Sequence, residues 1–336
     1  MITMNATRSR PPTMGDIAAR AAVSTATVSY VLNDTPGNRI PEETRRRVLA
    51  AAEDLGYVPH ASARSLRTGR SDLVLFAMPA TTLGPLAARF FGGLADELRA
   101  LGYTLILHGD PESRGAKAAR AWAALRPAAV IAEGRRLTPT AVDLLTGAGA
   151  VPLALGRAPR RGVPALVLDH CGMGRTGGLH LIDQGCTDIA AIVPRAPVVK
   201  EMGEERLAGV AKAAEGARVR RTDMDGTPED AARVVAEWAE QGMPDGVYGY
   251  NDEYAGLLLG ALADAGVDVP GRVRLVGTDD LPLCGMLRPR LTSVGARPLL
   301  SIGEVAAHIA ALVSGDADPA APIRAWEPEL RRRESS

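Results

Sequence analysis

The chain has 336 residues, 46% hydrophobic and 23% charged, a globular composition long enough for two or three folded units. Lys plus Arg and Asp plus Glu both total 39, yet residues 1–70 hold ten Arg against six acids, so a small basic module precedes a larger acidic body. That asymmetry points to a polyanionic partner for the first module. Cys171, Cys186 and Cys284 have no metal-ligand spacing and support neither a disulfide framework nor a zinc site. The longest run without Asp, Glu, Lys or Arg extends from Leu73 only to Ala88 and is broken by Pro79, Gly84 and Pro85, which excludes a helical membrane span. Met1 to Pro12 is polar and lacks the apolar stretch of a secretory signal, so a cytoplasmic protein is expected.

In chain order, Thr13 followed by Asp16 reads as a capping box that opens a helix with Ile17 and Ala21 on its apolar side. After a turn at Ala22-Val23-Ser24, Ser24 caps a second helix over Thr25–Leu32 that buries Val28, Val31 and Leu32. Asn33 and Asp34-Thr35-Pro36-Gly37 end it, and a third helix runs from Pro41-Glu42 through Val48, Ala52 and Leu55 to Gly56. The stretch His60–Arg67 has the makings of two helical turns but almost no apolar face, too short to hold alone in water. From Leu73 the texture alternates apolar runs with amphipathic helices. Strands are predicted at Leu73–Met78, Tyr103–Leu107, Ala128–Ala132 and Val151–Leu155, then at Ala165–Leu168, Ile189–Val193, Gly246–Gly249 and Val273–Gly277. This rhythm predicts parallel sheets covered on both faces, in two doubly wound subdomains.

The first two helices form a helix-turn-helix whose second helix opens on the small residues Ser24, Thr25, Ala26 and Thr27, shaped to enter a major groove about 12 Å wide. In the segment after the bundle, Leu66 stands among Arg64, Arg67 and Arg70 with only small neighbours at helical spacing. A helix formed on DNA would use such a leucine as a minor-groove wedge and the arginines on phosphates.

These residues closely resemble the LacI/GalR family of bacterial transcription regulators. The likeness rests on Thr13-Met14-Gly15-Asp16-Ile17-Ala18, Val23 to Asn33, Thr44-Arg45 and Leu55-Gly56-Tyr57-Val58-Pro59, and on Ala63 to Gly69 as the family's hinge helix. It continues in Leu168-Asp169, Glu205 to Gly209, Tyr250-Asn251-Asp252, Gly277 to Asp280 and Pro289 to Val294, covering nearly the whole chain. The resemblance implies a small all-α helix-turn-helix headpiece and an α/β core of two doubly wound parallel-sheet subdomains, like a periplasmic binding protein. It also implies a homodimer, or a tetramer, on palindromic double-stranded operator DNA, repressing under control of a small metabolite in the cleft between the subdomains. Carried over by position, Thr13, Ser24, Thr25, Ala26, Thr27, Ser29, Tyr30 and Asn33 contact DNA from the headpiece, and Ala63, Arg64, Leu66 and Arg67 from the hinge. Arg206, Asn251 and Asp279 fall on the polar effector positions, with Leu86 and Tyr248 as candidate packing residues.

The expected boundaries are 1–59 for the headpiece, 60–70 for the hinge, 71–168 with 297–317 for one subdomain, and 169–296 with 318–336 for the other. Leu86, Ala87 and Thr278 stand where the family commonly has aromatics, and His170 replaces a usual Asn, so a stacking platform for a sugar ring is weakened. Gly172-Met173-Gly174-Arg175-Thr176-Gly177 has the G-x-G-x-x-G form, but three residues separate it from the preceding strand, and the next strand ends in Pro194-Arg195 rather than an acid for a ribose. A nicotinamide-dependent oxidoreductase is therefore disfavoured. A transporter's solute-binding protein is disfavoured by the basic headpiece. No enzyme, cofactor, metal or membrane association is expected.

Overall fold

The computed structural model describes residues 10–32, 39–58, 71–79, 85–156 and 162–336. The chain divides into two compact units, Met1–Ser71 and Asp72–Ser336.

The first unit contains α1 (Met14–Ala21), α2 (Thr25–Leu32) and α3 (Glu42–Asp54). The capping box forms: Thr13 N donates to Asp16 Oδ2 at 2.8 Å and Asp16 N to Thr13 Oγ1 at 3.3 Å, satisfying two amides that a helix start leaves open. The chain leaves α1 at Ala22 in the left-handed region, φ 52°, which lets its amide turn back onto the last turn of α1. Ser24 Oγ then accepts Thr27 N at 3.1 Å and starts α2. Ile17, Val28 and Val48, all fully buried, meet at the centre, with Ala18, Ala21, Ala51 and Ala52 around them. Small side chains let three short helices approach closely, and the Arg20–Asp54 pair at 2.9 Å joins α1 to the end of α3.

The second unit holds two sheets. The first is β2-β1-β3-β4-β5, all parallel, from β1 (Leu73–Ala77), β2 (Thr104–His108), β3 (Ala129–Glu133), β4 (Val151–Leu155) and β5 (Ala165–Leu166). One face packs under α4 (Pro85–Ala100) and α12 (Ile302–Ser314) through Val74, Phe76, Leu94, Ile131 and Ile309. The other packs under α5 (Gly115–Ala124) and α6 (Pro139–Gly147) through Leu75, Trp122, Val130 and Leu145.

The second sheet is β11-β10-β9-β8-β6-β7. Its strands are β6 (Asp188–Pro194), β7 (Arg218–Met224), β8 (Gly246–Tyr248), β9 (Arg274–Thr278), β10 (Thr292–Pro298) and β11 (Trp326–Arg331), parallel except for the β10–β11 pair. Its helices are α7 (His170–Asp183), α8 (Pro197–Ala213), α9 (Pro228–Gln241), α10 (Asp252–Asp264) and the short α11 (Leu283–Met286). Two apolar cores flank it, one around Ile189, Val210 and Val276 and one around Val235, Leu258 and Leu275. Two layered cores on two sheets are the doubly wound arrangement expected from the strand rhythm.

Three strands and one boundary depart from the expectations above. Strands β7, β10 and β11 were not expected. β7 reads Arg-Val-Arg-Arg-Thr-Asp-Met, and charge at a sheet edge hides the alternation that marks a strand. The expected return to the second subdomain at residue 318 is also too early. Ile323 N donates to Ala165 O at 2.7 Å and Val167 N to Ile323 O at 3.0 Å, so Ile323 completes the edge of the first sheet and the chain crosses only before Trp326.

Candidate functional site

In the headpiece, helix periodicity sends Val28 and Val31 inward and leaves Ser24, Thr25 and Ala26 exposed at the start of α2. Tyr30, on the same helix, is 42% exposed. The Ser24 and Thr27 hydroxyls are within 2.9 Å of each other, so these two side chains shape the helix start while Thr25, Ala26 and Tyr30 present themselves outward. Ser29 is half-buried, and Thr13 is exposed while serving as the cap of α1. No acid lies in the first turn of α2, whose positive dipole end therefore stays uncompensated by carboxylate. Asn33, Ala63, Arg64, Leu66 and Arg67 lie outside the described residues.

The core's polar cluster is assembled from four separate elements. Arg206, only 4% exposed, projects from α8 and donates from Nη1 to Tyr250 O, and from Nη2 to Asp279 Oδ1 at 3.2 Å and to Met173 Sδ at 3.7 Å. Its guanidinium lies 4.8 Å from the Tyr250 ring centroid, while its Nε has no partner among the described residues. Burial opposes the charge, but Asp279, Tyr248 and Tyr250 outweigh it and hold Arg206 above the ordinary arginine range. The cation is therefore permanent and already committed to Asp279.

Asp279 and Asp280 adopt φ of 101° and 50°, left-handed conformations that cost non-glycine residues about 1 kcal/mol or more each. Hydrogen bonds on consecutive amides hold them: Asp279 N to Val294 O at 2.9 Å, Asp280 N to Ser293 Oγ at 3.1 Å and Leu281 N to Asp252 Oδ2 at 2.7 Å. Asp252 is wholly buried, and burial pushes its carboxyl up to about 6 despite bonds from Ser293 and Leu281. The paired acids thus separate in role: Asp279 faces Arg206, whereas Asp280 accepts from Arg333 Nη2 at 2.6 Å.

Asn251 caps α10, its Oδ1 accepting Tyr254 N at 2.9 Å. Tyr248 does not serve as an outward packing residue. It is fully buried under Gly177 and accepts a hydrogen bond from Thr278 Oγ1 at 2.8 Å, because a residue on central β8 points into the core. Tyr250, past the end of that strand, supplies the aromatic contact to Arg206 that the sequence reading did not assign. Leu86 lies in the first turn of α4 and is 40% exposed. A second unassigned residue, Arg136, is 1% exposed; it stacks 4.9 Å over Trp122 and donates to the carbonyls of Met78 at 2.8 Å, Ser113 at 3.1 Å and Asp110. It fixes the segments that leave β1 and β2.

Residues 13–60 match the bacterial regulatory proteins of the lacI family, and residues 179–336 match the periplasmic binding protein-like domain. The HTH-type transcriptional regulator GalR of Salmonella typhimurium is 29% identical, with 96% of this chain and 95% of that protein aligned. The HTH-type transcriptional repressor PurR of Photobacterium profundum is 28% identical over 96% of this chain and 98% of its own. The chain is thus similar along nearly its whole length to transcriptional regulators of this kind, and opens on a lacI-family domain. Its fold is that of the Lac repressor dimer bound to operator and the anti-inducer ONPF, with a TM-score of 0.79 at 22% identity, covering 97% of this chain and 99% of that one. The transcriptional regulator CelR in complex with cellobiose aligns with a TM-score of 0.65 at 25% identity, over 97% of this chain and all of that one.

The glycine-rich helix α7 has a plain use in packing. A Cβ on Gly174 would collide with the Arg206 carbonyl, so the glycine lets α7 and α8 touch and Arg206 reach inward. The G-x-G-x-x-G spacing therefore serves packing. Among the described residues no group of three or more His, Cys, Asp or Glu is arranged for a metal, and no helix is long and apolar enough to cross a membrane.

Proposed function

We propose that this protein is a LacI-family, effector-responsive transcriptional repressor that binds a palindromic operator as a homodimer. The observation that carries the reading is the exposed, acid-free start of α2, on a helix that turns Val28 and Val31 into the bundle's apolar cluster. Thr25, Ala26, Ser29 and Tyr30 read base edges, Thr13, Ser24 and Thr27 set the helix start against the backbone, and Leu66 wedges the operator centre between Arg64 and Arg67. The protein works in the cytoplasm, where its DNA lies, and acts by binding rather than by catalysing a reaction.

The effector meets Arg206, Asn251 and Asp279 on one side and Leu86 on the other. A guanidinium and a carboxylate held side by side suit a ligand that both donates and accepts, such as a polyol or a hydroxy acid. The cellobiose of the CelR complex is of that chemistry. Effector binding shifts operator affinity only by its preference between two core arrangements, typically ~1–3 kcal/mol.

The test is selection of genomic fragments by the purified protein at physiological salt, followed by sequencing. The expected result is an enriched palindrome whose affinity falls steeply with salt. Retention without sequence preference would overturn the repressor reading. Leu66→Ala is expected to weaken the recovered operator while leaving binding to unrelated DNA unchanged.

A further inference from the structure

The core contains a cavity of about 450 Å³. It lies where the segment entering α7 and the segment just before β11 meet α8, and His170, Cys171, Lys212 and Arg324 line it together with Asp169 and Glu205. Its size falls in the range of small-molecule sites, roughly 300–1,000 Å³. Neither Arg206, Asn251 nor Asp279 lines it, so it is separate from the polar cluster described above.

Three features suggest chemistry there. Cys171 is half-buried, and Lys212 Nζ donates to its Sγ at 3.7 Å. His170 is only 7% exposed and its Nδ1 has no partner among the described residues, an arrangement that a bound molecule would satisfy. The charged lining is balanced, Lys212 and Arg324 against Asp169 and Glu205, which matches the carboxylate and ammonium of an amino acid. The other two cysteines offer a contrast. Cys186 and Cys284 are buried among apolar residues, and burial pushes their thiols up to about 11 and about 12.

We propose that Cys171 is a site of thiol–disulfide exchange that captures half of a low-molecular-weight disulfide of an amino-acid thiol, with the cavity holding the captured half. The Cys171 sulfur attacks one sulfur of the reagent, the reagent's S–S bond breaks, and a new S–S bond joins Cys171 to that half. The other half leaves as a thiolate and takes up the proton lost from Cys171. One thiol and one disulfide thus give one mixed disulfide and one thiol, with no further oxidant. The ammonium of Lys212 steadies the attacking sulfur, and His170 Nδ1 meets the polar end of the adduct. The adduct would stand between α8 and the segments that join the two subdomains.

The full-length protein is incubated with cystine at neutral pH, quenched in acid, and read by intact mass and peptide mapping. One cysteinyl group per chain is expected, on Cys171, removable by a dithiol reductant. Lys212 is exposed, so Lys212→Ala keeps the fold, checked by an unchanged melting temperature, and is expected to slow the addition about tenfold. Absence of the adduct, earlier addition at Cys186 or Cys284, or an unaltered rate in Lys212→Ala would overturn the proposal. Operator binding without cystine does not depend on it, so failure here leaves the repressor reading untouched.

Discussion

The headpiece and the core place their functional side chains in opposite physical states. In the headpiece, Thr25, Ala26 and Tyr30 lie on the outside of a helix whose inner face alone holds the bundle together. In the core, Arg206 is buried and bound to Tyr250 O, Met173 and Asp279 within the fold itself. One surface can change its contacts without touching stability; the other cannot. The residues proposed for DNA recognition and for metabolite sensing are thus separated not only along the chain but in what they cost to alter.

The contrast is greatest at Arg206. Arg206→Met leaves Asp279 and the Tyr250 carbonyl without their donor in a largely buried setting, which typically costs about 3–5 kcal/mol. Chemical denaturation should show that loss in the core's transition, with operator binding retained where the core remains folded. A loss below about 1 kcal/mol would mean that water replaces the guanidinium and that the cluster is open rather than committed.

Acid titration separates the two regions further, because the described headpiece residues contain no histidine while the core buries His170, His180 and Asp252, the histidines shifting in the opposite sense to the carboxyl. His170 is pushed down to about 3 by burial and by Arg206, from an ordinary value of 6.5. It stays neutral in the fold while the unfolded chain takes up a proton, so its contribution is complete above pH 6.5 and is lost as pH falls toward 3. Asp252, raised by burial from 3.8 to about 6, binds its proton more tightly in the fold, so its contribution is complete below 3.8 and is lost as pH rises through about 6. Each gives a slope of up to about 1.4 kcal/mol per pH unit within its window. Relative to wild type, His170→Asn should reduce the acid-side loss, which buried His180 shares, and Asp252→Asn should reduce the opposing one, both read as melting temperature against pH. Unchanged profiles would show that these groups are hydrated in the fold.

The same contrast governs what the sequence reveals. The capping box, the turn at Ala22 and the faces of α2 depend on residues within a few positions of one another, so local pattern suffices to place them. Most strands of both sheets are continuous apolar runs and are legible for the same reason. The Arg206 cluster joins residues 173, 206, 250 and 279, which no local spacing connects, and it was reached only through the resemblance. Tyr248 and Tyr250 are both buried, in the two different cores of the second sheet, because the chain leaves β8 between them, and no strand period tells which of the two meets Arg206. Arg136 was missed because a buried arginine held by carbonyls has no acidic partner in sequence to announce it.

A smaller effect tests the headpiece's own folding. Thr13→Ala removes the hydroxyl that caps α1, a change worth about 1 kcal/mol at such positions, and should lower the headpiece transition without moving the core. Thr13→Ser should restore it, since the Oγ that accepts Asp16 N is kept.

The smallest stability change should carry the clearest functional one. Tyr30 is 42% exposed and lies outside the headpiece's apolar cluster, so Tyr30→Ala should alter stability by less than about 0.5 kcal/mol. If its ring faces DNA, the same substitution should change which bases are preferred, since one good side-chain contact to a base edge discriminates by about 1–3 kcal/mol. Binding to a library of operator variants measures this directly: a changed preference at one symmetric pair of positions is expected, with the salt slope unchanged because no phosphate contact is lost. A uniform loss across all variants would instead make Tyr30 a backbone contact. That outcome would move base reading to Thr25 and Ala26, one turn earlier on the same exposed face.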